Sequence, residues 1–239
     1  MQRILVERQF KSTETVDGVV GEKTKAAIEY AQRSAGLPVD GVAGPLTKRA
    51  LTLNGLRDDA PPDGALKRVP TKPITWQLVR STVPTYLTAD AVAAELTHAL
   101  QVWQEASDGA LAFERVLGGV DAPPADLTIR FDDHTPRNRF SFDGPGGALA
   151  FTSSTSIAFD ASERWELIAA PHGGVHPDRA RLPEDFFYFG LLPVAIHEIG
   201  HVIGLPHSFG ADDVMSPYYM RSRLQLSDVD KSALTLALV

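Results

Sequence analysis

Residues 197–207 read HEIGHVIGLPH and hold three of the chain's seven histidines. On a helix, residues four apart share a face, so His197 and His201 present two imidazoles to one point. Glu198 lies one residue on, and its longer arm reaches a water held at that point. Gly204 tolerates a left-handed turn, so the spacing predicts a helix that stops there and a chain that reverses to bring His207 back as a third ligand. Three imidazoles on zinc leave a fourth tetrahedral position open for water, which is the hydrolytic arrangement. Glu198 then fits a general base that takes the water's proton and passes it to a leaving amine. A bare HExxH arises by chance fairly often. The extended form, with a glycine and a third histidine at these offsets, is far rarer.

Outward from this stretch, an apolar run predicts a helix from about Phe186 to Ile203. Upstream, "ITWQLVRS" from Ile74 alternates like a strand. "TADAVAAELTHALQVWQEAS" places Val92, Leu96, Ala99, Leu100 and Trp103 at helical spacing, with Thr88 as N-cap. "LAFERV", "DLTIRF", "ALAFT" and "SIAFD" read as short strands, and "LSDVDKSALTLAL" as a last helix capped by Ser227. The order strand, helix, strands, helix, helix predicts an α+β domain with a sheet packed on helices.

A different pattern precedes it. "VDGVVGEKTKAAI" from Val16 is echoed by "VDGVAGPLTKRAL" from Val39, each with an Asp-Gly turn and a second glycine that opens a helix. Between the copies Ile28, Ala31 and Ala35 share a helical face closed by Gly36. Residues 1–57 therefore read as a small all-α module. Residues 58–73, "DDAPPDGALKRVPTKP", read as a linker, and residues 74–239 as the second domain.

The totals exclude several classes. A net charge of −7 over 239 residues argues against nucleic acid as partner. The absence of cysteine excludes disulfides, thiolate metal ligands and a cysteine nucleophile. No run is long and apolar enough to span a bilayer, and "MQRILVERQF" lacks the apolar core of a signal peptide.

Two family resemblances follow from these motifs. Residues 10–57, with G-x-x-G-x-x-T-x-x-A-[IL], an amphipathic helix and "GLPVDG", resemble the peptidoglycan-binding type 1 domain, some members of which serve as propeptides. Residues 74–239 resemble a matrixin, the matrix-metalloproteinase branch of the metzincins, through "FDGPGGALAF", "FDASERW", "HEIGHVIGLPHS", "VMSPYY" and "LSDVDKSAL" in family order. The second resemblance implies a five-stranded mixed sheet, an active-site helix and a C-terminal helix. It implies that His197, His201 and His207 hold catalytic zinc, that Glu198 is the base, and that Met215 forms the hydrophobic Met-turn beneath the metal. It further implies that Pro217 and Tyr219 wall the pocket beside the scissile bond. Ala150 would lie on an edge strand that pairs with extended substrate. Calcium would be held by Asp143 with the Gly144 and Gly146 carbonyls, and by Asp160 and Glu163.

Three departures from the family accompany the match. Phe151 and Ala158 stand where histidines of a second, structural zinc are expected, leaving His134 alone; that zinc is expected to be absent. "APHGGVHPDRARLPED", with His172 and His176, is inserted before the active-site helix, and reads as a solvated loop. His98, on the long helix, reads as exposed or satisfied there. The family's latency cysteine is missing, which leaves Asp58, Asp59 or Asp63 as carboxylates able to reach the metal.

The expected function is a zinc-dependent endopeptidase acting on proteins or peptides, with calcium, and with a module that binds peptidoglycan or acts as a pro-domain. The alternative is a wall-binding protein whose metal domain cleaves peptidoglycan peptides or is non-catalytic. A monomer is expected, secreted or cell-wall associated.

Overall fold

Residues 2, 5, 20–34, 37–52, 72–117, 124–133, 142, 148–168 and 188–238 are described by the computed structural model. In the N-terminal region, α1 (Glu22–Ser34) and α2 (Pro45–Thr52) bury Ala27, Ile28, Ala31 and Leu51 with Leu5. The second repeat's Asp-Gly is built around a buried glutamine. Gln32 Nε2 donates to Asp40 Oδ1 (2.7 Å), Val42 O (3.0 Å) and Thr47 Oγ1 (3.0 Å), while its Oε1 accepts from the Asp40 and Gly41 amides. Gly41 sits at φ +68°, and a Cβ there would lie 2.7 Å from Lys25 Cγ, so the turn needs glycine. Ala35 and Gly36, the expected end of α1, lie outside the described residues.

In the second region, β1 (Ile74–Leu78), β2 (Phe113–Arg115), β3 (Leu127–Asp132), β4 (Ala150–Ser153) and β5 (Ser156–Asp160) form one sheet in the order β2-β1-β3-β5-β4. β1, β2, β3 and β5 pair in parallel, while β4 runs antiparallel to β5 at the edge. The mixed five-stranded sheet is the one expected. Burial alternates along β1, with Ile74, Trp76 and Leu78 inward, as a period of two requires. Helix α3 (Ala89–Ala106) begins at Thr88, whose side chain accepts the Ala91 amide (3.3 Å), and lays Val92, Leu96, Ala99, Leu100 and Trp103 into the core.

Helix α4 (Leu191–Ile203) is buried along all 13 residues and has no acidic residue in its first turn. Pro193 is tolerated because first-turn amides have no helical acceptor to lose. The helix starts five residues later than the apolar run from Phe186 implies. Phe189–Gly190 (β7) instead pairs in parallel with Trp165–Glu166 (β6), and the chain turns helical only after that ladder ends. Helix α5 (Asp228–Ala237) carries the expected Ser227 cap, completed into a capping box by Asp230.

The two long helices are fastened at one point. Trp103 Nε1 donates to the Ile196 carbonyl at 2.8 Å. Close approach there depends on Gly200, where an added Cβ would lie 2.3 Å from Met215 Sδ and 2.9 Å from Trp103 Cζ2. Gly200→Ala is therefore expected to cost about 1–3 kcal/mol through overpacking, despite alanine's higher helix propensity. Urea unfolding would show it as a lower midpoint at unchanged slope; an unchanged midpoint would mean the helix can back away freely.

The N-terminal region touches the second one. The Tyr30 hydroxyl donates to the Asp212 carboxylate, and Leu37 packs against the main core. No helix among the described residues is long and apolar enough to cross a membrane.

Candidate metal centre

Helix α4 supplies His197, Glu198 and His201, and its end supplies the means of bringing His207 back. Gly204 closes the helix at φ 108°, ψ 14°, with its amide donating to the Gly200 and His201 carbonyls and the Leu205 amide to Gly200 O. That reversal also aims the Leu205 carbonyl at His201, whose Nδ1 donates to it at 2.8 Å. His197 Nδ1 likewise donates to Val214 O at 2.7 Å.

These two bonds fix the tautomers. In a neutral imidazole one ring nitrogen donates and the other accepts, so Nε2 of both residues carries a bare lone pair. The two Nε2 atoms nevertheless lie 3.0 Å apart, and His207 Nε2 is 3.1 Å from that of His201. Two acceptors at that distance repel unless a cation sits against them. Burial, with smaller contributions from the neighbouring imidazoles, keeps the His197 ring well below its ordinary pKa; burial pulls His201 down to about 4. Both are thus neutral at neutral pH, as metal ligation requires. Tetrahedral zinc about 2.0–2.1 Å from each nitrogen would set them about 3.3 Å apart, close to the spacing present. Among the described residues this triad is the one group of three His, Cys, Asp or Glu side chains so placed.

Glu198 is buried beside the triad, and its Oε2 accepts a hydrogen bond from the Thr152 hydroxyl of β4 at 2.6 Å. Met215 is buried against Gly200, the residue between the two helical histidines. Tyr219 is buried with its ring edge-on to Phe189 (5.0 Å) and its hydroxyl accepting the Gly190 amide (2.8 Å). Burial pushes its phenol up to about 12, so it stays protonated. Pro217 lies half-buried on the same loop. Ala150 is buried on β4 opposite Phe159, with the strand's other edge unpaired among the described residues.

Several expected residues fall elsewhere. Asp160 and Glu163 are buried at the end of β5, and Asp160 Oδ1 accepts the Ser162 amide at 2.7 Å. Asp143, Gly144, Gly146, His134, His172, His176, Asp58, Asp59 and Asp63 lie outside the described residues. Phe151 and Ala158 face one another across β4 and β5 and cluster with Phe142 and Ala148; the Phe142 and Phe151 rings stand 4.9 Å apart. His98 is exposed on α3.

Three supports of the site carry little or no signal in the sequence around them. Asp230 accepts the Val214 amide (2.8 Å), the Met215 amide (3.1 Å) and the Ser227 amide (2.9 Å), so one carboxylate caps α5 and anchors the loop under the histidines. Only the cap was signalled locally, by Ser227 three residues earlier. Arg223 holds the same loop through the Ala211 carbonyl (2.9 Å) and the Tyr218 carbonyl, and its burial lowers it to about 10. Thr152 had no local signal. Asp230→Ala is expected to destabilise the chain by about 3 kcal/mol, since two buried amides lose a charged acceptor. Because Val214 O orients His197, metal affinity should also drop, by roughly 10–100-fold. Competition with a chromogenic chelator checks the second effect; unchanged affinity would uncouple Asp230 from the site.

Similarities to known proteins bear on this geometry. The matrixin family model matches residues 68–236, and a peptidoglycan binding domain model matches residues 1–51. Stromelysin-3 of Mus musculus is 35% identical over 163 residues, 65% of this chain and 27% of that protein. Interstitial collagenase of Aquarana catesbeiana is 34% identical over 126 residues, 50% of this chain and 27% of that protein. Matrix metalloproteinase-17 of Homo sapiens is 31% identical over 137 residues, 54% of this chain and 19% of that protein. The chain thus spans about a quarter or less of the length of these curated relatives.

Proposed function

Because the chain belongs to the matrixin family, we propose that it is a zinc-dependent endopeptidase that hydrolyses peptide bonds in extended protein chains. The observation that carries this reading is the convergence of three imidazoles, two of them neutral and oriented on the helix that also bears Glu198, with His207 brought back by the turn at Gly204. His197, His201 and His207 hold the zinc. When bound, zinc acidifies a water and stabilises negative charge developing on the scissile carbonyl. Glu198 accepts the proton of the attacking water on a carboxylate oxygen and delivers it to the leaving nitrogen. Met215 packs below as an apolar floor, and Gly204 and Leu205 keep His201 in its ligating tautomer.

Substrate binding falls to β4 and the loop after Met215. The edge of β4 at Ala150, unpaired among the described residues, offers main-chain donors and acceptors to an extended peptide, as an added strand would use them. Pro217 and Tyr219 shape the pocket that receives the next side chain, Tyr219 being held rigid by the Gly190 amide. Asp160 and Glu163 hold calcium at the end of β5, with Asp143, Gly144 and Gly146 as the remaining donors; two buried carboxylates suit this hard cation. Residues 1–57 bind peptidoglycan and set where the peptidase acts, which places the protein in the wall or outside the cell.

The test presents zinc- and calcium-loaded full chain with an unfolded protein and, separately, with purified peptidoglycan, and identifies new termini by mass spectrometry. Cleavage within the protein is expected. Cleavage confined to wall peptides would transfer the activity to that substrate, and cleavage of neither would leave a binding protein.

A further inference from the structure

Glu198 has one long side chain with three torsions, and a base that swings does not meet its proton on time. Something must hold it, and the structure offers a candidate on the neighbouring strand. Thr152 lies on β4 opposite Ile157, on the strand face that alternation directs inward with Ala150. Thr152 is 6% exposed and Glu198 2% exposed. The Thr152 hydroxyl sits 2.6 Å from Glu198 Oε2, within the short range of a hydroxyl bonded to a carboxylate. The Glu198 carbonyl at 3.4 Å is too long to compete for the single proton.

We propose that Thr152 is a positioning residue for Glu198, its donated hydroxyl fixing the carboxylate's orientation for proton transfer. The assignment rests on the reading of Glu198 as the base. A buried hydroxyl costs free energy unless it is bonded, and valine would fill the same strand position with no polar group to satisfy. Threonine's branched Cβ also makes χ1 stiff, so the donor's direction is set by the strand backbone. The strand and the helix are separate elements 46 residues apart in the chain, and this bond joins them at the reacting group. The same strand is proposed to pair with substrate, so the bond references the base to the strand on which the peptide lies.

The experiment compares Thr152→Val, Thr152→Ser, Glu198→Ala and the Thr152→Val/Glu198→Ala double variant, all as zinc-loaded full chain. Zinc content and melting temperature are read on each; if valine prevents folding, Thr152→Ala takes its place. Thr152→Val is expected to lower kcat by roughly 10–100-fold with KM within about 3-fold, the size of effect that loss of orientation produces. Thr152→Ser keeps the donor and should return kcat to within about 3-fold of the parent. The double variant should be no slower than Glu198→Ala alone, because residues acting as a unit are not additive. Parent-like kcat in Thr152→Val beside an inactive Glu198→Ala overturns the role of Thr152 alone, as does a serine variant as slow as the valine one. Retained activity in Glu198→Ala overturns both this inference and the reading of the base beneath it.

Discussion

Glu198→Gln in the zinc-loaded chain is expected to lower kcat by roughly 10²–10⁴-fold, the range a positioned general base supplies. KM should move little, because the carboxylate is needed for proton transfer and not for pairing substrate with β4. Zinc content should stay at the parent value, since the three imidazoles, and not Glu198, converge on the metal position. Glutamine is the cleaner change than alanine. Its amide oxygen keeps an acceptor for the Thr152 hydroxyl, so the buried donor is not orphaned and the loss is chemical. Alanine removes the base and the acceptor together, and some of its cost would appear in stability. If the glutamine variant holds zinc and cleaves at the parent rate, Glu198 is not the base.

The second large effect is on removal of the metal. Without a cation, the Nε2 lone pairs of His197 and His201 face each other at 3.0 Å in a buried place. Stripping zinc should abolish cleavage and lower the melting temperature. Ligand linkage sets the scale, about 2.7 kcal/mol for free zinc at a hundredfold excess over its Kd. The metal-free chain should also become acid-sensitive with a definite sign. His201 titrates near 4 when folded and near 6.5 when unfolded, so between those values the unfolded chain binds more protons. Stability is therefore whole above about pH 6.5 and is lost as pH falls toward 4, by roughly 3 kcal/mol at about 1.4 kcal/mol per unit. His197, displaced in the same direction, adds to the loss. Urea midpoints of chelated protein at pH 7.5 and 5 check this; a midpoint unchanged between them would mean the rings are not held neutral.

Much of the fold around the histidines was legible because its signals are local. Ligand spacing, a glycine stop, Thr88 and Ser227 each act within one or two helical turns, and each appears where the pattern puts it. Strands β4 and β5 were legible in "ALAFT" and "SIAFD", though not their pairing. The start of α4 was not. Phe186 to Phe189 extend the apolar pattern, and what stops the helix from beginning there is a strand partner at Trp165, 24 residues away. Long-range bonds hid the supports in the same way. Asp230 reads as a helix cap, and nothing near it tells that the Val214 and Met215 amides arrive at the same carboxylate. Thr152 reads as an ordinary strand residue until Glu198 is folded against it.

On the function proposed above, one zinc on His197, His201 and His207 makes this chain a peptidase. Titrating zinc into the stripped full chain while counting new peptide termini in an unfolded protein substrate tests it most directly. Cleavage should rise in proportion to added zinc and level off at one equivalent per chain, with no rise in a His201→Ala variant. Cleavage that needs no zinc, or that follows zinc equally well without His201, would rule out a peptidase built on this triad.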